Sequence, residues 1–294
     1  MGRNRGDQNF PLTILWIGLL YLFFIQGYPF FWSIFISLTD QGIGRPGKFI
    51  GMDNFIYLFS DRTFWSAIYF TFIYVFAAIL LKLLLGFIMA LMLHQPLKGR
   101  GFFRALLFLP WALPTLTSVL AWRWMLGDVG GIVNYLLMGL KVVTRPVAWL
   151  GEPLFARLSV VCVNIWRGTP FFGISILAGL QSISPELYEV AKIDGANAYK
   201  RFIHVTIPGV RPVVLLVTLI STIWTFGDFA IIWLMTRGGP ANTTHVFSTL
   251  SYVVTFQNLD MGKGIAIALT IVPISLLLMK ATMKYIFQRE ESTQ

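Results

Sequence analysis

Charge is scarce in this sequence. Of its 294 residues 12% are Asp, Glu, Lys or Arg, against about 25% in ordinary globular chains. With 56% of residues hydrophobic, too little polar surface remains to cover an apolar interior in water, which argues against a soluble enzyme. Cysteine occurs once, at Cys162 inside an apolar run, so an internal disulfide is excluded and the residue reads as a small buried hydrophobe. Three histidines, His94, His204 and His245, are scattered, and no His-Glu-x-x-His or cysteine pair offers a zinc site. No Gly-x-x-x-x-Gly-Lys-Ser/Thr loop is present to cradle a phosphate, because Gly262-Lys263-Gly264 fails at its last position. No Gly-x-Ser-x-Gly elbow sets up a serine nucleophile. Internal repeats and low-complexity tracts are absent as well.

What the sequence has in abundance is apolar run length, with a mean hydropathy of +0.71. Six stretches reach the ~20 helical residues that a hydrocarbon core requires. They are Leu12–Ile36, Phe64–Leu93, Phe102–Leu126, Leu154–Leu180, Val213–Met235 and Gly262–Phe287. They predict an all-α membrane protein of six transmembrane helices, with residues 1–11 as a head, 12–287 as the spanning domain and 288–294 as a tail. The first run exceeds a signal-peptide core and ends in Gln26-Gly-Tyr-Pro29 rather than a small-residue cleavage site, so it reads as a retained helix. Pro29, Pro110, Pro114, Gly168, Pro170 and Pro273 interrupt the runs, as kinks or as bends near a pathway.

The net charge of +10 does not point to nucleic acid, because the basic residues lie mostly in short segments between the apolar runs. With the head inside, twelve basic residues fall in inner segments and nine in outer ones, leaving Lys82 and Arg167 within spans. That bias places both termini in the cytoplasm. Two outer loops are long. Ser37–Thr63 holds an amphipathic patch, Phe49–Phe59, and Gly127–Pro153 holds a helix-like piece, Ile132–Leu140. Both read as interfacial helices or as surfaces for an external partner.

The inner loop between the fourth and fifth runs, residues 181–209, is unlike the others. Ser184 is placed to cap a helix with Pro185 at its first position and Glu186 in its first turn. Leu187, Val190 and Ala191 then share one face, and Asp194-Gly195 ends the helix and redirects the chain. A second short helix, Ala196–Val205, is expected to stop before Pro208. Glu189-Val-Ala191, three residues, Gly195, nine residues and Val205-Thr-Ile-Pro208 are similar to the Glu-Ala-Ala loop of ATP-binding-cassette importer permeases. The departures are conservative: Val190 for Ala, Val205 for Ile and Ile207 for Leu. Phe49-Ile-Gly-Met-Asp-Asn-Phe55, Trp166-Arg-Gly-Thr-Pro-Phe171, Leu177-Ala-Gly-Leu-Gln-Ser182 and Arg237-Gly-Gly-Pro240 extend the likeness to carbohydrate permeases of the maltose-importer group.

This resemblance implies a type I importer permease in a bacterial inner membrane, with no catalytic residue and no cofactor of its own. Its implied partners are a second homologous permease subunit, two ATPase subunits that hold ATP and Mg, an extracytoplasmic solute-binding protein and membrane lipid. The resemblance assigns ATPase coupling to Glu186, Glu189, Ala191, Asp194, Gly195, Phe202 and Pro208. A sugar site needs flat apolar faces and hydrogen-bonding groups in a concavity. The fourth run offers Asn164, Trp166, Arg167 and Thr169, and the fifth offers Trp224, Phe226, Asp228, Phe229 and Trp233. Each aromatic also reads as helix packing or an interfacial belt. Charges at membrane depth such as Asp228 and Arg167 require a cavity or a partner, and an Asp228–Arg167 pair is one arrangement; Lys82 needs a partner too. Two other solutes stay open, an organophosphate ester and a polyamine. An intramembrane lipid-modifying enzyme would need convergent acids, bases or metal ligands that are not arranged here. A channel or self-contained transporter leaves the inner loop unexplained.

Overall fold

The computed structural model describes the backbone of residues 5–96 and 98–280, with side chains from Ile14 onward. Residues 281–287 of the sixth run and the tail 288–294 lie outside the described residues. The helices are α1 Arg5–Leu22, α2 Tyr28–Ser37, α3 Asp53–Ser60, α4 Arg62–His94, α5 Arg100–Ala112, α6 Thr115–Met125 and α7 Ile132–Gly139. They continue with α8 Pro153–Gln181, α9 Pro185–Ile193, α10 Ala198–Arg201, α11 Ile207–Phe226, α12 Ala230–Met235, α13 Phe247–Tyr252 and α14 Met261–Leu269. Among the described residues five helices are long and apolar enough to cross a membrane: Ile14–Ser37, Arg62–His94, Pro153–Gln181, Ala198–Phe226 and Met261–Lys280.

The third expected span is not a straight helix. α5 and α6 meet at a bend of 89°, and the pair counts as a sixth span only if both are taken together. The cause is local. Leu113 precedes Pro114, and the proline ring drives it to an extended conformation (φ −67°, ψ 140°) that no α-helix accommodates. The fifth span is displaced from its expected bounds. It ends at Phe226 rather than Met235, because Gly227 closes α11 and Asp228 opens α12. It also begins early, at Ala198.

The early start corrects the expected helix Ala196–Val205. The chain does not stop before Pro208; it passes through a π turn, Phe202–Thr206, directly into α11. The Ile207 amide reaches back to the Phe202 carbonyl, five residues away, so the widened turn absorbs the proline that has no N–H to give. The same device precedes Pro29, where the Tyr28 amide reaches the Phe23 carbonyl and joins α1 to α2.

The chain divides into two compact units. The first comprises, among the described residues, 5–61 and 251–270. In it α14 packs on α2 and α3. Buried Asn54, at the head of α3, donates its amide to the Ser37 and Thr39 carbonyls at 2.8 Å each. Gly262 allows the close approach of Thr39, since a Cβ there would lie 2.1 Å from its carbonyl oxygen. Lys263 pairs with Asp260 at 2.8 Å and lies over the Tyr57 ring.

The second unit comprises, among the described residues, 62–250 and 271–280. Its centre is the crossing of α4 and α8, brought close by small residues. A Cβ on Gly86 would stand 2.4 Å from Phe172 Cβ, and one on Gly173 would stand 2.7 Å from the Met89 sulfur. Two apolar clusters flank the crossing: one around Phe70, Tyr74, Val160, Val163 and Phe226, the other around Met89, Leu93, Phe172, Ile176 and Val217. Cys162, expected as a buried hydrophobe, is exposed, because its neighbours Val161, Val163 and Asn164 occupy the inward side of α8.

Candidate functional site

Six helices of the second unit line a cavity of about 260 Å³, Ile231 of α12 among the lining residues. α8 contributes Asn164, Arg167, Gly168 and Phe171; α11 contributes Ser221, Trp224 and Thr225. Lys82 enters from α4, Trp111 from α5 and Thr115 from α6, with Asp228 and Ile231 beyond the end of α11. One wall is aromatic. Trp111 stacks on Phe171 with centroids 6.3 Å apart and planes 13° apart, and Phe171 meets Trp224 at 5.2 Å. Both tryptophans are exposed.

The cavity also carries charge, and each charge is held by neutral groups. Asp228 Oδ2 accepts the Tyr74 phenol at 2.5 Å and the Asn164 amide at 2.9 Å, while Oδ1 accepts the Ile231 N–H at 3.3 Å. Arg167 donates to Thr115 Oγ1 at 2.8 Å, to Ser118 Oγ and to the Leu113 carbonyl at 3.4 Å. Lys82, 3% exposed, donates to Thr225 Oγ1 at 3.2 Å and Ser221 Oγ at 3.5 Å. The direct Asp228–Arg167 pair raised from the sequence does not form. The bend at Leu113–Pro114 brings Thr115 and Ser118 to the guanidinium, and Tyr74 and Asn164 take the carboxylate.

Of the sequence-selected pathway residues, Asn164, Arg167, Trp224 and Asp228 come together at the cavity. The others lie elsewhere. Trp166 packs edge-on against Trp122, Thr169 donates to the Ile165 carbonyl one turn back, and Trp233 stacks on Phe229. Phe226 is buried in the core, edge-on to Phe72. Sequence reasoning missed Tyr74, Trp111, Thr115, Ser118 and Phe171. It also missed Ser221 and Thr225, although two hydroxyls four apart on an apolar helix are a readable signal for a nearby intramembrane cation.

The inner loop has its own geometry. Ser184 stands at the N-cap of α9, but its side chain makes no capping bond, contrary to expectation; its carbonyl instead accepts the Leu187 N–H at 3.2 Å. Gly195 adopts φ +75°, and the Ala196 N–H closes back on the Ala191 carbonyl at 2.9 Å, a left-handed helix end. Asn197, which the sequence reading passed over, caps the next helix by accepting the Lys200 N–H at 2.9 Å. Tyr188 and Thr206 share a hydrogen bond of 3.0 Å that ties α9 to the base of α11. Phe202 sits edge-on to Phe87 of α4. Glu186, Glu189 and Asp194 are exposed, Ala191 is half-buried, and Pro208 lies in the first turn of α11. Leu187, Val190 and Ile193 are also exposed, Ile193 by 85%. At the root of the loop the Gln181 amide, turned so that its oxygen faces the two guanidinium groups, accepts from Arg100 and Arg104 at 2.7 and 2.8 Å.

The Arg237-Gly-Gly-Pro240 turn lies outside the spanning helices. Gly238 has φ +87°, and a Cβ there would fall 2.0 Å from the His245 ring. His245 is buried, shares a 3.1 Å hydrogen bond with Thr249, and is pushed by that burial from the usual 6.5 down to about 4.

Apolar spans, a lined cavity and an exposed inner loop define a membrane transport subunit. The chain belongs to the family described as "Binding-protein-dependent transport system inner membrane component", which matches residues 82–290. It is thus a multi-pass inner-membrane permease and not an enzyme. It is 38% identical to the trehalose/maltose transport system permease protein MalF of Thermococcus litoralis over 82% of this chain and 81% of that protein. It is 34% identical to the lactose transport system permease protein LacF of Rhizobium radiobacter over 82% and 80% of the two chains. Its fold matches a chain of a bacterial alginate ABC transporter solved with an alginate pentasaccharide-bound periplasmic protein. The TM-score is 0.79 at 23% identity, covering 94% of this chain and 93% of that one.

Proposed function

We propose that this chain is one permease half of an ATP-driven importer that carries a sugar, mono- or oligosaccharide or derivative, into the cytoplasm. The observation that carries the reading is a covalent continuity. α9 is bracketed by α8 and the Ala198–Phe226 helix, the two helices that supply most of the cavity. Phe171 lies ten residues before the end of α8, about 15 Å at 1.5 Å per residue. A force applied to α9 therefore crosses only short links, Ser182–Ser184 on one side and Asp194–Asn197 on the other, before it enters helix that runs to the cavity. The aromatic wall of Trp111, Phe171 and Trp224 supplies flat faces for sugar rings, and the polar side supplies hydrogen-bonding groups.

In this reading both termini and the loop 181–209 face the cytoplasm. Glu186, Glu189, Ala191, Asp194, Gly195, Phe202 and Pro208 form or support the surface that seats in a separate ATPase. Two such ATPases hold ATP and Mg, a second homologous permease completes the pathway, and an external binding protein delivers the solute. Nucleotide binding shifts the spans only through contacts that α9 makes differently in the two states. The sugar transport named for the relatives supports the choice of solute. The test is uptake of labelled disaccharide into proteoliposomes containing the complete importer. Uptake that requires ATP, all subunits and the binding protein is the expected result; uptake by the permease pair alone contradicts it.

A further inference from the structure

We propose that the solute carried through this cavity bears an anionic group, and that Arg167, assisted by the field of Lys82, recognises it. The proposal rests on the sugar-permease reading and narrows it to acidic sugars.

Two cations and one anion line a cavity of about 260 Å³. In membrane proteins such groups pair with one another or face a ligand pathway. Here they do not pair. The Asp228 carboxylate is occupied by three neutral donors, from Tyr74, Asn164 and the Ile231 backbone. Arg167 is held only by hydroxyls and a carbonyl, and Lys82 only by hydroxyls. Hydroxyl and carbonyl oxygens orient a cation without cancelling its charge, and the single Asp228 charge, which acts on both cations, offsets only one of the two, so the lining keeps a net positive charge. A neutral sugar has no use for that charge; a carboxylate, sulfonate or phosphate on the sugar does. The half-buried guanidinium, fixed by Thr115 and Ser118, lines the same cavity as Trp224 and Phe171. One ligand with a ring for the aromatic wall and an anion for Arg167 satisfies both. Lys82 is too buried to touch a ligand readily and contributes through its charge.

The test is equilibrium binding to the purified permease–ATPase complex in lipid nanodiscs, without binding protein. The probes are tritiated glucuronyl-β-1,4-glucose and cellobiose, which differ by a carboxylate in place of a hydroxymethyl group. The acidic disaccharide is expected to bind about tenfold or more tightly, the effect of one charge-assisted contact. Arg167→Gln is expected to bring the two affinities within about twofold, while Arg167→Lys, which keeps the charge, retains a preference above about threefold. Equal binding of both sugars by the wild-type complex overturns the proposal and leaves the sugar reading standing. Binding of neither overturns both. A preference unchanged in Arg167→Gln also overturns it, and if that variant does not assemble, the wild-type ratio and Arg167→Lys decide.

Discussion

Gly168 on α8 leaves the space through which the Lys82 side chain passes from α4: a Cβ at Gly168 would lie 2.6 Å from Lys82 Cε and 3.0 Å from its Nζ. The glycine and the lysine are one feature, because the side chain whose ammonium reaches Ser221 and Thr225 passes through the space the glycine leaves. Gly168→Ala forces the buried tail of Lys82 aside and is expected to destabilise the folded chain by about 1 kcal/mol. Shortening the obstruction with Lys82→Ala in the same chain should return part of that loss. Unfolding in detergent of the two single variants and the double variant measures the coupling; strict additivity would count against it.

Tyr74 and Asp228 are 154 residues apart in sequence and 2.5 Å apart in space. Tyr74→Phe removes a donor from a carboxylate held at membrane depth, at an expected cost of about 1–3 kcal/mol. Uptake should fall with stability while the ATPase subunits still co-purify. Unaltered stability would show that the phenol is dispensable to Asp228.

Gly195 has φ +75° and open space where a Cβ would go, so only backbone strain opposes a side chain there. Gly195→Val is expected to cost about 1–2 kcal/mol locally and to loosen ATPase co-purification. Gly195→Asn, which tolerates left-handed geometry better, should do less harm. Equal retention of the ATPase by both variants would remove the strain argument.

His245 is buried neutral, with its imidazole near 4 against an ordinary 6.5. The unfolded chain therefore binds a proton that the folded chain refuses between those values, and stability rises with pH across that window. The contribution is complete above about pH 6.5 and is lost as pH falls toward 4. Thermal unfolding of wild type and His245→Gln at pH 7 and pH 5 tests this. The variant should show the smaller loss on acidification; an identical loss would place the pH sensitivity elsewhere.

Much of the fold was legible because the bilayer imposes a length on every span. The runs beginning near Leu12, Phe64 and Leu154 correspond to helices within a few residues. The inner loop was legible because Pro185, Asp194 and Gly195 are local signals with local causes. What the sequence did not display is long-range or depends on a break. Pro114 was visible as an interruption, but its 89° consequence depends on how Leu113 is held. The merger of the loop with α11 depends on a π turn, which has no composition signature. Asp228 and Arg167 were visible as charges that need partners. Their actual partners, Tyr74 and Ser118, come from helices whose contact no periodicity reveals.

We read α9 as the mechanical link between a separate ATPase and the cavity. Ile193, 85% exposed at the end of α9, is the most direct place to test it. In a chain with Cys162→Ala, the single thiol of Ile193→Cys is followed in the complete importer by cross-linking to the ATPase and by labelling with a polar maleimide. Cross-links to the ATPase whose yield changes on adding ATP, with slow labelling, are the expected result. A thiol that labels at full speed in the assembled, transporting importer and never cross-links would contradict the claim.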